Sequence, residues 1–405
     1  MSTTQTDMPD RVRSIHGAHL LDPNKSPSFR VASDQPALLQ YGTGSVPVLQ
    51  CNELIAIGQY TAYTTFGAAN VLPPVWFAMP YAGILGLGLP PQARLTHSTW
   101  WGLASHIKGS SAPPPPFTIS VPPVYADTTG GGNLTLGAVD SSLGTAPFLW
   151  APLRPMEGGY TAWAIEVFSM RVDSLDGSSL QLCPGACTGD VDSGSSLLLL
   201  PQGAYAAFQR AVVQASNGTC QHETAFMVCH AQDTLGPAWP ASLQALLPNI
   251  SFTVAGRQEA AGGAHSAYEV LLTPRMYMCC GEVCGHVAGL CRVSVGVGGF
   301  GRGGFILGDT FMSHYVTAFH EEFRAIGIAP TAWGLPLRPS DFQLPHLPWY
   351  ASPAVWLGGP LLLGAVLLAW RLGKDRWGGG RGGGPTSQAP GGVNSGWGSV
   401  PTTEV

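Results

Sequence analysis

Charge is what this sequence has least of. Asp, Glu, Lys and Arg together make up 11% of its 405 residues, and 19 basic against 24 acidic groups leave a net charge of −5. That balance offers no basic face for nucleic acid. So few charges, beside 53 Gly and 35 Pro, exclude a helical bundle and fit many short strands joined by turns, a mainly β fold. The opening stretch MSTTQTDMPDRVRS holds no apolar run of secretory-signal length. No P-loop, HExxH motif or recognisable Ser-His-Asp arrangement occurs.

Nine cysteines are present, and their clustering is informative. Cys183 and Cys187 are close enough to close a small loop, and Cys220 and Cys229 precede a group at Cys279, Cys280, Cys284 and Cys291. Zinc is the rival reading of that group, but the spacing is irregular and no His pair accompanies it, so no metal site is assigned. Disulfides formed in an oxidising compartment fit better, with one thiol left over. Asn-x-Ser/Thr tripeptides at Asn133, Asn217 and Asn249 agree with a luminal or extracellular setting. The polar opening conflicts with that setting: either the protein is cytosolic or the beginning of the gene product is missing.

The far end carries a membrane signal. From Leu347 to Trp370 there is no charged residue, and Arg371, Lys374 and Arg376 follow at once. About 20 residues of helix cross a bilayer core of roughly 30 Å. The positive-inside rule then makes this a single-pass protein with a cytoplasmic tail and a luminal or extracellular main body. The span is set at 349–372, behind a Pro-rich stalk at 335–348 and ahead of a Gly-rich disordered tail at 373–405.

The chemistry concentrates between Cys187 and Pro201, in CTGDVDSGSSLLLLP. A strand ending in Val191 would deliver Asp192 to a turn at Ser193 and Gly194. Gly194 permits that turn, and Ser195 offers a hydroxyl to hold the carboxylate. Tyr205, Phe208 and Val212 repeat at helical spacing after Pro201. The whole stretch resembles the second active-site loop of the pepsin-like aspartic proteases. FILGDTFMSHYVTAFHEEFRAIGIAP (305–330) is similar to that family's closing segment, and LLPNISFTVAG (246–256) to one of its strands. DPNKSPSF (22–29), YGTGS (41–45), AGILGLGLP (82–90) and GGNLTLGAVD (131–140) match its first half in family order.

The resemblance implies a bilobal acid-protease fold: a leader at 1–18, an incomplete first lobe at 19–148 and a second lobe at 149–334. It implies crossing strands at 84–86 and 306–308, and a short helix begun by Asp309, Phe311 and Tyr315. Asp192 would be a catalytic carboxyl braced by Ser193, Gly194 and Ser195, with Tyr41, Gly42 and Thr43 as a flap over a polypeptide substrate. Cys183 would bond Cys187, and Cys229 would bond a member of the 279–291 group. No cofactor is implied, and a monomer is expected. One departure matters most: no Asp-Thr/Ser-Gly triplet lies upstream of the flap. Asp190 is a second departure, at a position the family keeps apolar. The reading is therefore a membrane-anchored aspartic endopeptidase whose chain, as it stands, lacks the first Asp loop and is inactive or truncated. The alternative is a non-catalytic binding or inhibitor protein on the same fold.

Overall fold

A computed structural model describes residues 21–42, 44–69, 83–90, 99–108, 113–126, 131–174, 176–183, 185–223, 226–230, 241–258, 266–281, 284, 289–299 and 303–344. Strands dominate these residues, as the composition implied. The stalk's end, the apolar run at 349–372 and the tail lie outside them. Among the described residues no helix is long and apolar enough to cross a membrane.

Among the described residues the strands form three sheets. The first is an antiparallel sheet of Arg30–Val31, Ala37–Tyr41, Gly44–Ile57 and Tyr60–Ala69. Its long hairpin turns at Gly58, whose φ of +58° suits a residue without Cβ. Alternate residues Val46 and Val48 are buried, whereas Leu38 and Leu54 are exposed, as a one-sided sheet requires. Tyr60 ties this sheet to the rest of the fold: its hydroxyl donates to the Leu136 carbonyl at 3.2 Å, and its ring meets Trp100 edge-on.

The largest sheet has 14 strands. Its main path runs through Val295–Val297, Leu198–Leu200, Phe305–Leu307, Ala186–Val191, Ala164–Asp173, Asn249–Gln258, Leu149–Pro152, Ala325–Pro330, Tyr315–His320, Phe117–Ser120 and Asn133–Leu136. Segments from the first half of the chain, at 117–120 and 133–136, thus close a ladder begun in the second half. Phe117, Trp163 and Phe319 stack where these strands meet, with Phe117 and Phe319 centroids 4.7 Å apart. The helix anticipated after Pro201 spans Gln202–Ala215 and buries Tyr205, Phe208 and Val212. A third sheet of four short strands, Cys220–Glu223, Phe226–His230, Leu290–Val293 and Met278–Cys280, carries most of the cysteines.

Two sequence expectations need correction. Residues 83–90 join no ladder among the described residues and bend at Gly88, so 84–86 does not form the strand expected there. Their backbone is held by other means: Trp163 Nε1 donates to the Leu87 carbonyl at 2.9 Å, and the Trp100 amide to the Gly86 carbonyl at 3.2 Å. A strand exists only where a partner satisfies its backbone groups, and no described Asp loop flanks this segment. The second crossing strand does form, at Phe305–Leu307. The other correction concerns Cys229, which bonds Cys220 and not the 279–291 group. The two are cross-strand partners in one hairpin. On its other side Cys229 faces Cys291, and Cys291 faces Cys280, so four cysteines form a row across the sheet. Cys280 bonds Cys291, Cys279 bonds Cys284, and Cys183 bonds Cys187 as the resemblance implied. Cys51 is the leftover thiol, buried in the first sheet.

Candidate active site

Asp192 leaves the end of the Ala186–Val191 strand at the mouth of a tight loop. Phe305–Leu307 pairs in parallel with that strand and antiparallel with Leu198–Leu200, so it threads between the two arms of the loop. The Asp192 amide donates to the Leu307 carbonyl at 3.3 Å, and the Asp309 amide to the Ser195 carbonyl at 2.7 Å. Thr310 Oγ1 donates to the Ser196 carbonyl at 3.2 Å. Backbone bonds therefore clamp the loop from both sides.

The carboxylate itself has two donors. The Gly194 amide donates to Oδ1 at 2.8 Å, and Ser195 Oγ donates to Oδ2 at 2.7 Å. Bonds to a carboxylate are charge-assisted and orient both oxygens. Asp192 is half-buried, while Ser193 and Gly194 are exposed, so the group reaches a surface where a ligand can meet it. The expected helix after the threading strand is one short turn, Asp309–Met312, and Tyr315 opens the next strand.

Two further carboxyls feel Asp192. Burial, then the Asp192 charge, pushes Asp190 up to about 7 and Asp309 up to about 6. Both effects disfavour a second negative charge in a poorly solvated place. Neither residue was a sequence candidate for the site: Asp190 stood out only as an unusual neighbour, and Asp309 only as a helix start. Their spacing held the signal for Asp190, since residues two apart on a strand share a face.

The other candidates are spread out. Tyr41 ends the Ala37–Tyr41 strand and pairs with Gly44 across a two-residue turn, so Gly42 lies at a hairpin tip, and Thr43 lies outside the described residues. Burial raises the Tyr41 hydroxyl above its usual range. Asn133 and Asn217 are exposed, whereas Asn249 is half-buried and its Ser251 is fully buried, donating to Asp173. Among the described residues no group of His, Cys, Asp or Glu is placed to hold a metal ion.

A half-exposed Asp at a Ser-Gly turn, threaded by an Ile-Leu-Gly strand within a mainly β fold, defines a pepsin-like aspartic protease half-site. Comparison with known proteins agrees. The family described as eukaryotic aspartyl protease matches residues 10–331, and the chain belongs to it. Gastricsin of Cavia porcellus is 28% identical over 317 residues, which cover 77% of this chain and 69% of that protein. Cathepsin D of Dictyostelium discoideum is 27% identical over 323 residues, with 76% and 71% covered. Napsin-A of Mus musculus is 30% identical over a shorter stretch of 198 residues.

Proposed function

We propose that this chain is a membrane-anchored aspartic endopeptidase in which Asp192 is one of two catalytic carboxyls. The observation that carries the proposal is the clamped Asp192 loop, with both carboxylate oxygens held by hydrogen bonds and the group still half-open. Two carboxyls about 3 Å apart share one proton, because both cannot ionise cheaply side by side. The ionised member takes a proton from water as it attacks the peptide carbonyl, and the protonated member assists the departing amine. Asp192 supplies one member, and the Tyr41–Gly42–Thr43 hairpin closes over an extended peptide.

One Asp-Ser-Gly triplet occurs in the sequence, and no Asp-Thr-Gly. The second carboxyl accordingly comes from sequence other than these 405 residues, and the chain by itself turns over little substrate. The run at 349–372 anchors the protein, with the protease body luminal or extracellular, the tail cytoplasmic, and Asn133 and Asn217 open to glycosylation. The test compares this chain, a version carrying a second Asp loop ahead of residue 20, and its Asp192→Asn variant on one unfolded protein at acidic pH. Cleavage by the second alone supports the reading. Equal cleavage by all three, or none by any together with failure to bind a hydroxyl-bearing transition-state mimic, overturns it.

A further inference from the structure

Among the described residues the Asp190 carboxyl has no hydrogen-bond or ion-pair partner. Only 8% of its surface is exposed, yet its carboxyl accepts no hydrogen bond from a described residue, and its direct cross-strand neighbours are Ala164 and Ile306. The strand's alternation fixes where it points. Gly189 turns inward, since a Cβ there would lie 2.7 Å from Val167 Cγ2 and 3.2 Å from Leu307 Cδ1. Val191 also turns inward and is buried in the core. Asp190 therefore stands on the other face, the face of Asp192.

Two residues of strand separate the two carboxyls by about 6.6 Å along the chain. That is too far for them to share a proton directly, so Asp190 does not replace the second catalytic group. It is well placed for a different task. An extended peptide advances by the same rise per residue, so a substrate lying alongside this strand with its scissile bond at Asp192 would bring a flanking side chain over Asp190.

We propose that Asp190 is a specificity-determining residue that receives a basic side chain of the peptide next to the scissile bond. The inference rests on the peptidase reading given above. A buried carboxyl without donors is unfavourable until a cation or amide meets it, and the neighbouring strands provide neither opposite it. Among the described residues the charged groups placed around it are acidic: Asp192 just past the end of its strand, Glu166 opposite Thr188 on the same face, and Asp309 beyond the threading strand. Burial, then the Asp192 charge, holds the Asp190 proton until about pH 7. At lower pH the group is a neutral hydrogen-bond donor, and above it an anion that rewards Lys or Arg.

The test uses the chain itself and non-cleavable peptides with a central hydroxyl isostere, carrying Lys, Leu or Glu at each flanking position in turn. Binding is read by calorimetry at pH 5 and pH 8. At pH 8 the Lys peptide should bind at least about tenfold more tightly than the Glu peptide at one flanking position, and the gap should narrow at pH 5. Asp190→Leu and Asp190→Asn should both abolish the pH-dependent part of the preference, and Asp190→Leu should favour the Leu peptide. Equal binding of all peptides, or a Lys preference that survives both substitutions, overturns the role of Asp190 while leaving the peptidase reading intact. Failure of every peptide to bind this chain and also a version carrying a second Asp loop ahead of residue 20 removes both.

Discussion

Gly308 passes so close to Ser195 that a methyl group on it would lie 2.1 Å from the Ser195 carbonyl oxygen and 2.5 Å from that of Leu197. Backbone packed on backbone cannot yield by turning a side chain. Gly308→Ala should therefore push the threading strand out of the Asp192 loop and destabilise the protein by about 3 kcal/mol or more, beyond ordinary overpacking. Gly203, in the helix after Pro201, has open space where its Cβ would be. Gly203→Ala should be neutral or stabilise by up to about 1 kcal/mol. Urea midpoints of the two variants, measured side by side, decide the matter.

Within the Asp192 loop the two bonds to the carboxylate are separable. In a protein completed with the second Asp loop, Asp192→Asn should remove cleavage altogether, since the water loses its base. Ser195→Ala removes only the 2.7 Å bond to Oδ2 and should lower kcat by about tenfold, the worth of one charge-assisted hydrogen bond. Steady-state kinetics at acidic pH would show the difference. Equal losses from both changes would place Ser195 in the reaction itself.

Stability should vary with pH in two opposing ways. Asp190 and Asp309 hold protons up to about 7 and about 6, above the unfolded range near 4. Their contribution is fully present below the unfolded value and is lost progressively as pH rises from about 4 to about 6 for Asp309 and about 7 for Asp190. His314 works the other way. It donates from Nδ1 to the Thr310 carbonyl and accepts at Nε2 from the Tyr125 hydroxyl at 2.8 Å, and burial holds it down to about 4. The unfolded chain takes up that proton from about pH 6.5, so stability falls as pH drops from there towards 4, by about 3 kcal/mol in all. Between pH 4 and 6 two acids lose stability with rising pH against one histidine that gains it, so unfolding midpoints should fall from about pH 4 to about pH 7. Asp190→Leu should raise the midpoint at pH 8, and His314→Gln, by removing the opposing slope, should steepen the fall between pH 4 and 6.

The cysteine row gives a chemical prediction. Non-reduced digests should contain the pairs Cys183–Cys187, Cys220–Cys229, Cys279–Cys284 and Cys280–Cys291. Cys51, buried in its sheet, should react with an alkylating agent only after unfolding. A Cys229–Cys291 peptide in place of two of these bonds would show that the row pairs across its middle.

The Asp192 loop was legible because its determinants are local: a turn glycine, a hydroxyl three residues on, and leucines returning to the core. The helix at Gln202–Ala215 was legible for the same reason, through the spacing of Tyr205, Phe208 and Val212. What escaped depends on partners distant in sequence. Residues 83–90 have the composition of a crossing strand, but strand formation is decided by what lies alongside. Cys229 has a cysteine on either side, at 220 and 291, and spacing alone could not rank them. The position of Asp190 on the site's face follows from alternation along one strand, yet its lack of donors emerges only when Ala164 and Ile306 are placed opposite it.

All four crosslinks span short loops, with separations of 4, 9, 5 and 11 residues, and all lie after residue 182. They stiffen turns and hairpins, and none stitches the early part of the chain to the later part. A single proteolytic nick anywhere from residue 70 to 182 would therefore yield two pieces that separate in denaturant without any reducing agent. Until then their only covalent link is the peptide backbone, and after a cut between residues 137 and 148 the shared ladder, its aromatic stack at Phe117, Trp163 and Phe319, and hydrogen bonds such as those of Trp163 with Leu87 and Tyr125 with His314 would keep them together.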